Sequence, residues 1–463
     1  MSSHPDAPAA SGAPPGPAEP PHEQVRQWIE TPVEFWAECG RRYGPVVALD
    51  LGSLGPVVLL SEPDAVRQVF QFTPDRFEVR HFNEHYRYVM GDHALLLQDG
   101  EEHQRQRRLL SPPLRPDQLL PRAGAIAETA RRAVAGWPSG ALFNPRPALN
   151  DAAFQVVLHV MMGDADSETS RALLEAYRGA VVRQVGSWGP WRNFTRLQPR
   201  MRGLLHDDMQ ARRADPERPG AMTRVALSQH ADGTPVTDAQ YADQLFSMMI
   251  AGVDTVAIAL AWALYWLARA PAVRDRLAAE LAAAGAGALG VGDPASDGRA
   301  LLALPYLNAV YSETVRMYPV VPTPSGRRLL RETRVGGYTF AAGTTLVPCT
   351  YLVHRRAELF PDGDRFVPER FLDRKFAPYE YFPYGGGVRR CIGEALAHLE
   401  FKVVLATILA QWHVEASDDP TPVRAVRHGT LLAPEDRFRL RVRPVAPAPS
   451  AAPAAAGEGA LWS

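Results

Sequence analysis

The segment Phe382-Pro-Tyr-Gly-Gly-Gly-Val-Arg-Arg-Cys-Ile-Gly393 places one cysteine, Cys391, between a glycine-rich turn and the start of a helix. Three successive glycines let the backbone approach a flat, bulky partner closely. After the cysteine, apolar residues recur at helical spacing: Ile392, Ala395, Leu396, Leu399, Val403 and Ala406. The positive end of that helix and the neighbouring Arg389 favour thiolate over thiol. The segment therefore predicts a metal-binding cysteine.

A thiolate in this setting is a soft ligand that suits haem iron. The alternative is a buried structural cysteine in a glycine-rich turn. For an isolated cysteine the structural interpretation would be preferred. The surrounding pattern Gly-Gly-Gly-x-Arg-Arg-Cys-Ile-Gly favours the ligand.

The same segment resembles the haem-binding loop of the cytochrome P-450 superfamily, Phe-x-x-Gly-x-Arg-x-Cys-x-Gly. Gly387, Arg389, Cys391 and Gly393 match that loop, and Tyr384 stands where the family has phenylalanine. The resemblance implies haem b (iron protoporphyrin IX) as cofactor, with Cys391 as the axial iron ligand and the other four residues around it. It also implies a mainly α fold with a small β portion, in which a long central helix lies over the haem and the cysteine loop below.

Two more motifs of the family follow in order. Glu313-Thr-Val-Arg316 matches Glu-x-x-Arg, whose spacing puts both side chains on one helix face, and Pro368-Glu-Arg-Phe371 matches a segment whose arginine joins that pair. Alone, the Glu-x-x-Arg motif is weak evidence for a structural network, because most such pairs lie exposed on the surface. In the family context, Glu313, Arg316 and Arg370 are expected to form a buried structural network beneath the cysteine loop.

The segment 238–269 is expected to be a helix of roughly 48 Å. It opens on a capping-box pattern at Thr237 and Gln240 and becomes apolar on all sides. Asp254 and Thr255 interrupt that apolar run, and a buried carboxylate is costly unless paired. Ala251-Gly-Val-Asp-Thr255 matches the family's oxygen-binding motif. The resemblance implies that Ala251, Gly252, Asp254 and Thr255 are catalytic, with Gly252 leaving space for oxygen. An ordinary helix kink is the alternative for this motif alone.

Further cations are expected around the haem propionates. His103 and Arg107, four residues apart, would project from one side of a helix, where the family binds propionates. Arg327 resembles the family's propionate arginine, and the adjacent Arg328 is an alternative one residue away. Arg389 completes the set. The alternative is that the helix carrying His103 and Arg107 presents a solvated basic face and binds no propionate.

The substrate pocket is expected to be apolar or aromatic, which predicts a lipophilic substrate. The candidate lining comprises Phe82, Tyr86, Tyr88, Met90, Met248, Ala251, Val320, Val321, Leu431 and Leu432. Trp188, Trp191 and Phe194 are expected in a lid. The segment from Gly337 to Leu399, including Pro348-Cys-x-Tyr-Leu-x-His354, resembles a bacterial branch associated with fatty acids, alkanes and terpenoids.

The resemblance implies a haem-thiolate monooxygenase that activates O₂ and hydroxylates or epoxidises a lipophilic small molecule in secondary metabolism. One alternative is a haem-thiolate oxidase that couples rings without inserting oxygen. A non-catalytic haem sensor is a second. Electrons are expected from a separate ferredoxin and ferredoxin reductase. Arg389, Arg390 and Lys402 are expected to form a basic patch that attracts the ferredoxin.

Composition agrees with a globular enzyme. The chain has 463 residues, 46% hydrophobic and 22% charged, and a net charge of −1, so no global field favours nucleic acid or anionic lipid. Cys39, Cys349 and Cys391 are an odd set without a Cys-x-x-Cys pair, as in a reducing cytoplasm. No signal peptide or membrane anchor is expected. We expect disordered Pro/Ala-rich tails at 1–22 and 444–463 and a single domain at 23–443.

Helices are expected to dominate. The predicted helices are about 101–110, 120–136, 151–163, 168–186, 200–214, 238–269, 272–284, 305–318 and 392–411, with a flexible loop at 284–298. Val46–Leu49 and Val57–Leu60 are expected to form a hairpin, as are Tyr338–Phe340 and Thr345–Val347, while Phe438, Leu440 and Val442 alternate as in a half-exposed strand.

Overall fold

The computed structural model describes residues 12–181, 189–230, 232–286, 289 and 293–445, with only the backbone for 179–181 and 189–195. The expected lid lies outside the described residues. Trp188 is not described, and only the backbone is described for Trp191 and Phe194.

Helices make up most of the described chain, as predicted. In chain order they are α1 Pro21–Glu30, α2 Pro32–Tyr43, α3 Pro63–Phe70, α4 Arg80–Asn83, α5 Arg87–Met90, α6 Gly100–Leu110, α7 Pro116–Leu119, α8 Ala123–Val134, α9 Arg146–Met162, α10 Glu168–Val181, α11 Gly189–Ala214, α12 Ala221–Ala226, α13 Asp238–Arg269, α14 Pro271–Ala283, α15 Pro294–Ala303, α16 Pro305–Met317, α17 Thr350–Val353, α18 Arg370–Asp373 and α19 Glu394–Gln411.

The strands are few and short. They are β1 Val46–Asp50, β2 Pro56–Leu60, β3 Phe77–Glu78, β4 Arg327–Leu329, β5 Thr333–Val335, β6 Tyr338–Phe340, β7 Thr345–Pro348, β8 Trp412–Ala416, β9 Ala425–His428, β10 Leu431–Pro434 and β11 Leu440–Pro444. One sheet has the order β1-β2-β7-β4-β3, and three two-stranded sheets pair β9 with β10, β8 with β11, and β5 with β6.

The central helix α13 crosses the core. Both capping-box hydrogen bonds between Thr237 and Gln240 are present, so the helix starts where the sequence predicts. Its carboxyl-terminal half is buried, and Trp262 there stacks on Tyr318 at 3.7 Å. Within the described chain, α13 is the one helix long and apolar enough to cross a bilayer, but most of it is buried, as in a core helix.

Several predicted elements differ from the observed ones. The segments at Tyr338–Phe340 and Thr345–Val347 do not form a hairpin, because β6 pairs with β5, while β7 pairs with β2 and β4. Part of the expected flexible loop is helical, since Asp293 accepts hydrogen bonds from the first N–H groups of α15. Structure also begins before residue 23: the Ala48 N–H donates to the Pro15 carbonyl at 2.9 Å, and α1 begins at Pro21.

Candidate functional site

A cavity of about 470 Å³ lies between α13, the cysteine loop (residues 382–393), the β9–β10 hairpin and α1. The thiol of Cys391 and the residues Ala251, Gly252, Asp254 and Thr255 all line it. The fold therefore brings the two most informative sequence motifs to opposite walls of one space.

The cysteine loop presents Cys391 just before α19 begins. The Cys391 N–H donates to the Tyr384 carbonyl at 3.1 Å, which closes the loop. The thiol is exposed to the cavity. A methyl group added at Gly393 would lie 3.8 Å from the sulfur, which is an ordinary contact distance, so Gly393 adjoins the sulfur without being required by it.

The protonation of Cys391 differs from the sequence-based expectation. Burial raises the pKa of the thiol, and the Gly393 N–H, Arg107 and Arg390 lower it less than burial raises it. Arg389, the neighbour expected to favour the thiolate, pairs with Asp99. The protein alone therefore holds a thiol, and a bound metal ion would deprotonate it.

Two of the three glycines of the cysteine loop make room for Phe70 of α3, whereas the sequence predicted that the glycines make room for a flat, bulky partner. A side chain at Gly386 would clash with the ring of Phe70, and one at Gly387 with the Phe70 carbonyl. Gly387 also has φ +64°, which glycine adopts without strain. These two glycines let α3 pack against the loop, while Gly385 lines the cavity.

Tyr384 lines the cavity, and its hydroxyl contacts α16. It shares a hydrogen bond with the hydroxyl of Tyr311. The departure from the family's phenylalanine therefore adds a link between the cysteine loop and α16.

Four basic side chains gather at one side of the cavity: His103, Arg107, Arg327 and Arg389. Burial, with Arg389 and Arg107, lowers the pKa of His103 to about 3, so the imidazole is neutral. Burial and Arg389 lower the pKa of Arg327 to about 9. The guanidinium groups repel one another, and an anion placed among them would be stabilised.

The structure distinguishes between Arg327 and Arg328. Arg327 is 2% exposed and lines the cavity, whereas Arg328 leaves the opposite face of β4 and pairs with Glu78 at 2.7 Å. Side chains alternate along a strand, so only Arg327 can reach a ligand in the cavity.

The basic patch expected around the cysteine is not formed as predicted. The Arg389 side chain is 9% exposed and is bound to Asp99. Lys402 is 2% exposed and donates to Asn308. Arg390 is exposed, but it pairs with Glu394 at 2.6 Å. Two of these three cations are therefore internal.

A largely buried ion network supports the cysteine loop from below. Glu313 and Arg316, both 0% exposed, form two hydrogen bonds at 2.6 and 2.9 Å. Arg370 adds a third contact to Glu313 at 3.1 Å. Arg316 also donates to the His354 carbonyl at 2.9 Å, and the His354 ring accepts from the Phe382 N–H at 3.0 Å. The network thus reaches the first residue of the cysteine loop.

On the facing wall, Thr255 donates its hydroxyl to the Ala251 carbonyl at 2.8 Å. The hydroxyl oxygen can still accept a hydrogen bond from the cavity. A side chain at Gly252 would lie 2.8 Å from Val157 of α9. Gly252 therefore permits close packing of α9 as well as lining the cavity.

Asp254 belongs to a polar cluster that the sequence did not reveal. It accepts from Asn150 at 3.1 Å and from Tyr177 at 3.3 Å, and its second oxygen lies 3.6 Å from His428 Nε2. Burial alone would raise the pKa of Asp254, but His428, Arg146 and Tyr177 together lower it. The carboxylate is therefore charged at neutral pH.

Most of the expected substrate contacts line the cavity. They are Phe82, Tyr86, Met90, Met248, Ala251, Val320, Val321 and Leu431. Tyr88 does not line it, because its side chain is 72% exposed on α5. Leu432 does not either: it lies on the opposite face of β10 from Leu431 and packs with Trp28 and Trp36.

Sequence reasoning missed four polar residues here. His428, Arg427 and Glu400 line the cavity, and His354 links the buried ion network to the loop. His354 appeared only as part of a branch pattern. For the other three, no local motif marks the residue.

The donor set suits haem. A single soft sulfur lies in one wall. Among the described residues, Asp99 is the one acidic side chain that pairs with the guanidinium groups of Arg107, Arg327 and Arg389, and it pairs with Arg389. The remaining positive charge suits two propionates. The rest of the wall is largely apolar, as a porphyrin requires. Among the described residues no group of three or more His, Cys, Asp or Glu could hold a different metal ion.

Comparison with known proteins agrees with this site. Residues 14–442 match the family model described as Cytochrome P-450. The chain is 34% identical to putative cytochrome P-450 135B1 of Mycobacterium tuberculosis over 454 residues, covering 94% of this chain and 92% of that protein. It is 29% identical to putative cytochrome P-450 135A1 of the same organism, with 94% and 96% coverage.

Solved structures show the same fold. The retinoic acid-bound cyanobacterial CYP120A1 superposes with a TM-score of 0.78 at 21% identity, covering 93% of this chain and 99% of that one. The cytochrome P-450 CYP102L1 superposes with a TM-score of 0.77 at 22% identity, covering 95% of this chain and 99% of that one. With the family match over nearly the whole chain and the cysteine loop facing α13, the protein belongs to the cytochrome P-450 family of haem b-dependent monooxygenases.

Proposed function

We propose that this enzyme inserts one oxygen atom from O₂ into a lipophilic small molecule of secondary metabolism, by hydroxylation or epoxidation, and that Cys391 would hold the haem iron. The observation that carries the proposal is that the Cys391 thiol and the Thr255 hydroxyl face the same largely apolar cavity. The haem, when bound, supplies the electron transfer and oxygen activation.

The side chains of this chain would bind, orient and move protons. Arg107, Arg327, Arg389 and neutral His103 would hold the haem propionates. The apolar wall excludes bulk water and binds the substrate. The Thr255 hydroxyl holds a water molecule by hydrogen bonding, and the Asp254 carboxylate accepts a proton from outside and passes it inward, as a general acid–base group.

The CO-difference spectrum of the reduced protein tests the cysteine assignment. We expect a thiolate-type band in the wild type and its complete loss in Cys391→Ala, with Cys349→Ala as the buried-cysteine control that retains it. A wild-type band of the imidazole-ligated type would overturn the assignment. Product mass tests the reaction: a gain of one oxygen supports insertion, and a loss of two hydrogens would support oxidative coupling instead.

We propose that the electrons come from a separate ferredoxin and its NAD(P)H-dependent reductase, in the cytoplasm. The described residues offer no cysteine cluster for an iron–sulfur centre, which supports an external donor. Turnover should require both added proteins. Equal turnover with NAD(P)H alone would contradict this.

A further inference from the structure

Arg427 places an unpaired cation in the cavity wall. It lies on β9, and its guanidinium carbon is 5.0 Å from the ring centre of Trp28 and 5.4 Å from that of Trp36. Its Nε and Nη2 atoms are buried and donate to no acceptor in the described structure. Arg427 therefore has hydrogen-bonding capacity that the described protein does not use.

No acidic side chain among the described residues forms an ion pair with Arg427. Burial lowers the pKa of Arg427 to about 10, and the opposing influences are the Tyr86 phenol and the Cys349 thiol. The guanidinium is therefore charged at neutral pH without a counter-ion. An uncompensated buried charge is destabilising. Residues that lower stability in this way are found mainly at functional sites.

This cation is separate from the propionate cluster. Arg389 lowers the pKa values of His103 and Arg327, and Arg107 lowers the pKa values of His103 and Arg389. Arg427 is not among the groups that act on these three. Arg427 and its neighbour His428 also leave opposite faces of β9. Arg427 shares its face with Leu432, which does not line the cavity, but the longer arginine side chain does line it, together with Trp28. His428 faces Asp254 on α13, whereas Arg427 faces the two tryptophans of α1 and α2.

The cavity is consequently amphipathic. Near Arg427 it is lined by Tyr86 and Thr430, whose hydroxyls bond to each other, and elsewhere mainly by apolar side chains such as Met248 and Val320. We propose that Arg427 binds the carboxylate of the substrate, so that the enzyme acts on lipophilic carboxylic acids. This inference rests on the proposed function and narrows its substrate class.

The experiment is a spectral titration of the haem-loaded protein with a saturated fatty acid, the primary alcohol of equal chain length and the methyl ester, over a range of chain lengths. Wild type should bind the best acid about 10- to 100-fold more tightly than its alcohol or ester, as expected for a hydrogen bond to a charged group. Arg427→Gln should lose that preference, and Arg427→Lys should keep part of it.

Arg424→Gln is the matched control. Arg424 lies just before the same strand, is exposed and approaches Glu34 at 3.9 Å, so this variant should keep the wild-type preference. Haem content and thermal midpoint confirm that each variant is folded. If Arg427→Gln fails to fold, Arg427→Lys and the wild-type preference still decide the question.

Two results would overturn the inference. One is equal wild-type affinity for acid, alcohol and ester, or no binding of any acid. The other is an equal loss for all three ligands in Arg427→Gln, which would mean that Arg427 only braces Trp28 and Trp36. Either result leaves the CO-difference spectrum and the product-mass test intact, so failure here is distinguishable from failure of the proposed function.

Discussion

Glu313 below the cysteine loop and Asp254 on the facing wall are both carboxylates inside the fold, but they are held differently. Glu313 is 0% exposed and is bound by two guanidinium groups and the Val367 N–H. The Asp254 side chain is 22% exposed, and its partners are an amide, a phenol and an imidazole at 3.6 Å. A network satisfied by permanent cations fixes a shape, whereas one with a titratable, partly exposed partner can exchange protons.

The first prediction breaks the fixed network. Glu313→Ala leaves Arg316 and Arg370 as buried, unpaired cations, and breaking such a pair costs about 3–5 kcal/mol. Since the network reaches Phe382 through His354, we expect little or no haem-loaded protein, measured as haem per polypeptide and as thermal midpoint.

Glu394→Ala is the matched control on the same side of the molecule. Its partner Arg390 is exposed, and surface pairs contribute at most about 1 kcal/mol. Similar stability of the two variants would show that the Glu313 network is not structural.

The second prediction concerns the wall opposite the sulfur. Thr255→Ala should keep haem and substrate binding but lower the product formed per NAD(P)H by about 10-fold or more, with peroxide released instead, because the hydroxyl that holds water is lost. Thr255→Ser, which keeps the hydroxyl, should stay close to wild type. A Thr255→Ala enzyme as efficient as wild type would mean that protons arrive by another route.

The third prediction tests whether Asp254 and His428 act together. Asp254→Asn should slow turnover by about 10²-fold and enlarge the solvent isotope effect. His428→Gln should have a smaller effect of the same kind. Since the two groups are 3.6 Å apart, the double variant should be no slower than Asp254→Asn alone. Multiplying effects would show that His428 acts elsewhere.

The difference between these regions also explains what the sequence could predict. Glu313 and Arg316 are three residues apart, and Cys391 lies within a contiguous pattern, so local spacing identified both. The partners of Asp254 come from α9, α10 and β9, and only the folded chain brings them together. The same holds for β7, which pairs with β2 rather than with its sequence neighbour.

The sequence motifs also could not predict which face of a strand each side chain occupies. Leu431 and Leu432 are equally apolar, and only the pairing of β10 with β9 decides that Leu431 faces the cavity. The same alternation places the successive polar residues Arg427 and His428 on opposite faces of β9. The mainly α fold, the capping of α13 and the hairpin of β1 and β2 were predictable, because their signals are local.

The last prediction extends the comparison to a third carboxyl group, Glu400 on α19. It is 1% exposed, and neither carboxyl oxygen has a hydrogen-bond partner in the described structure.

Burial raises the pKa of Glu400 well above the usual 4.5, so the folded protein keeps Glu400 protonated when the unfolded chain does not. Stability from this group is full below the unfolded-state pKa and is lost as pH rises toward the folded-state pKa, by about 1.4 kcal/mol per pH unit. Glu400→Gln cannot ionise, so its thermal midpoint should exceed that of wild type by a margin that grows as pH rises above the unfolded-state pKa of Glu400. Glu394→Gln on the same helix loses a partly exposed pair with Arg390 and should show no growing margin. A constant difference between Glu400→Gln and wild type would mean that Glu400 is ionised in the folded protein, and the cavity wall would then hold a second charged carboxylate besides Asp254.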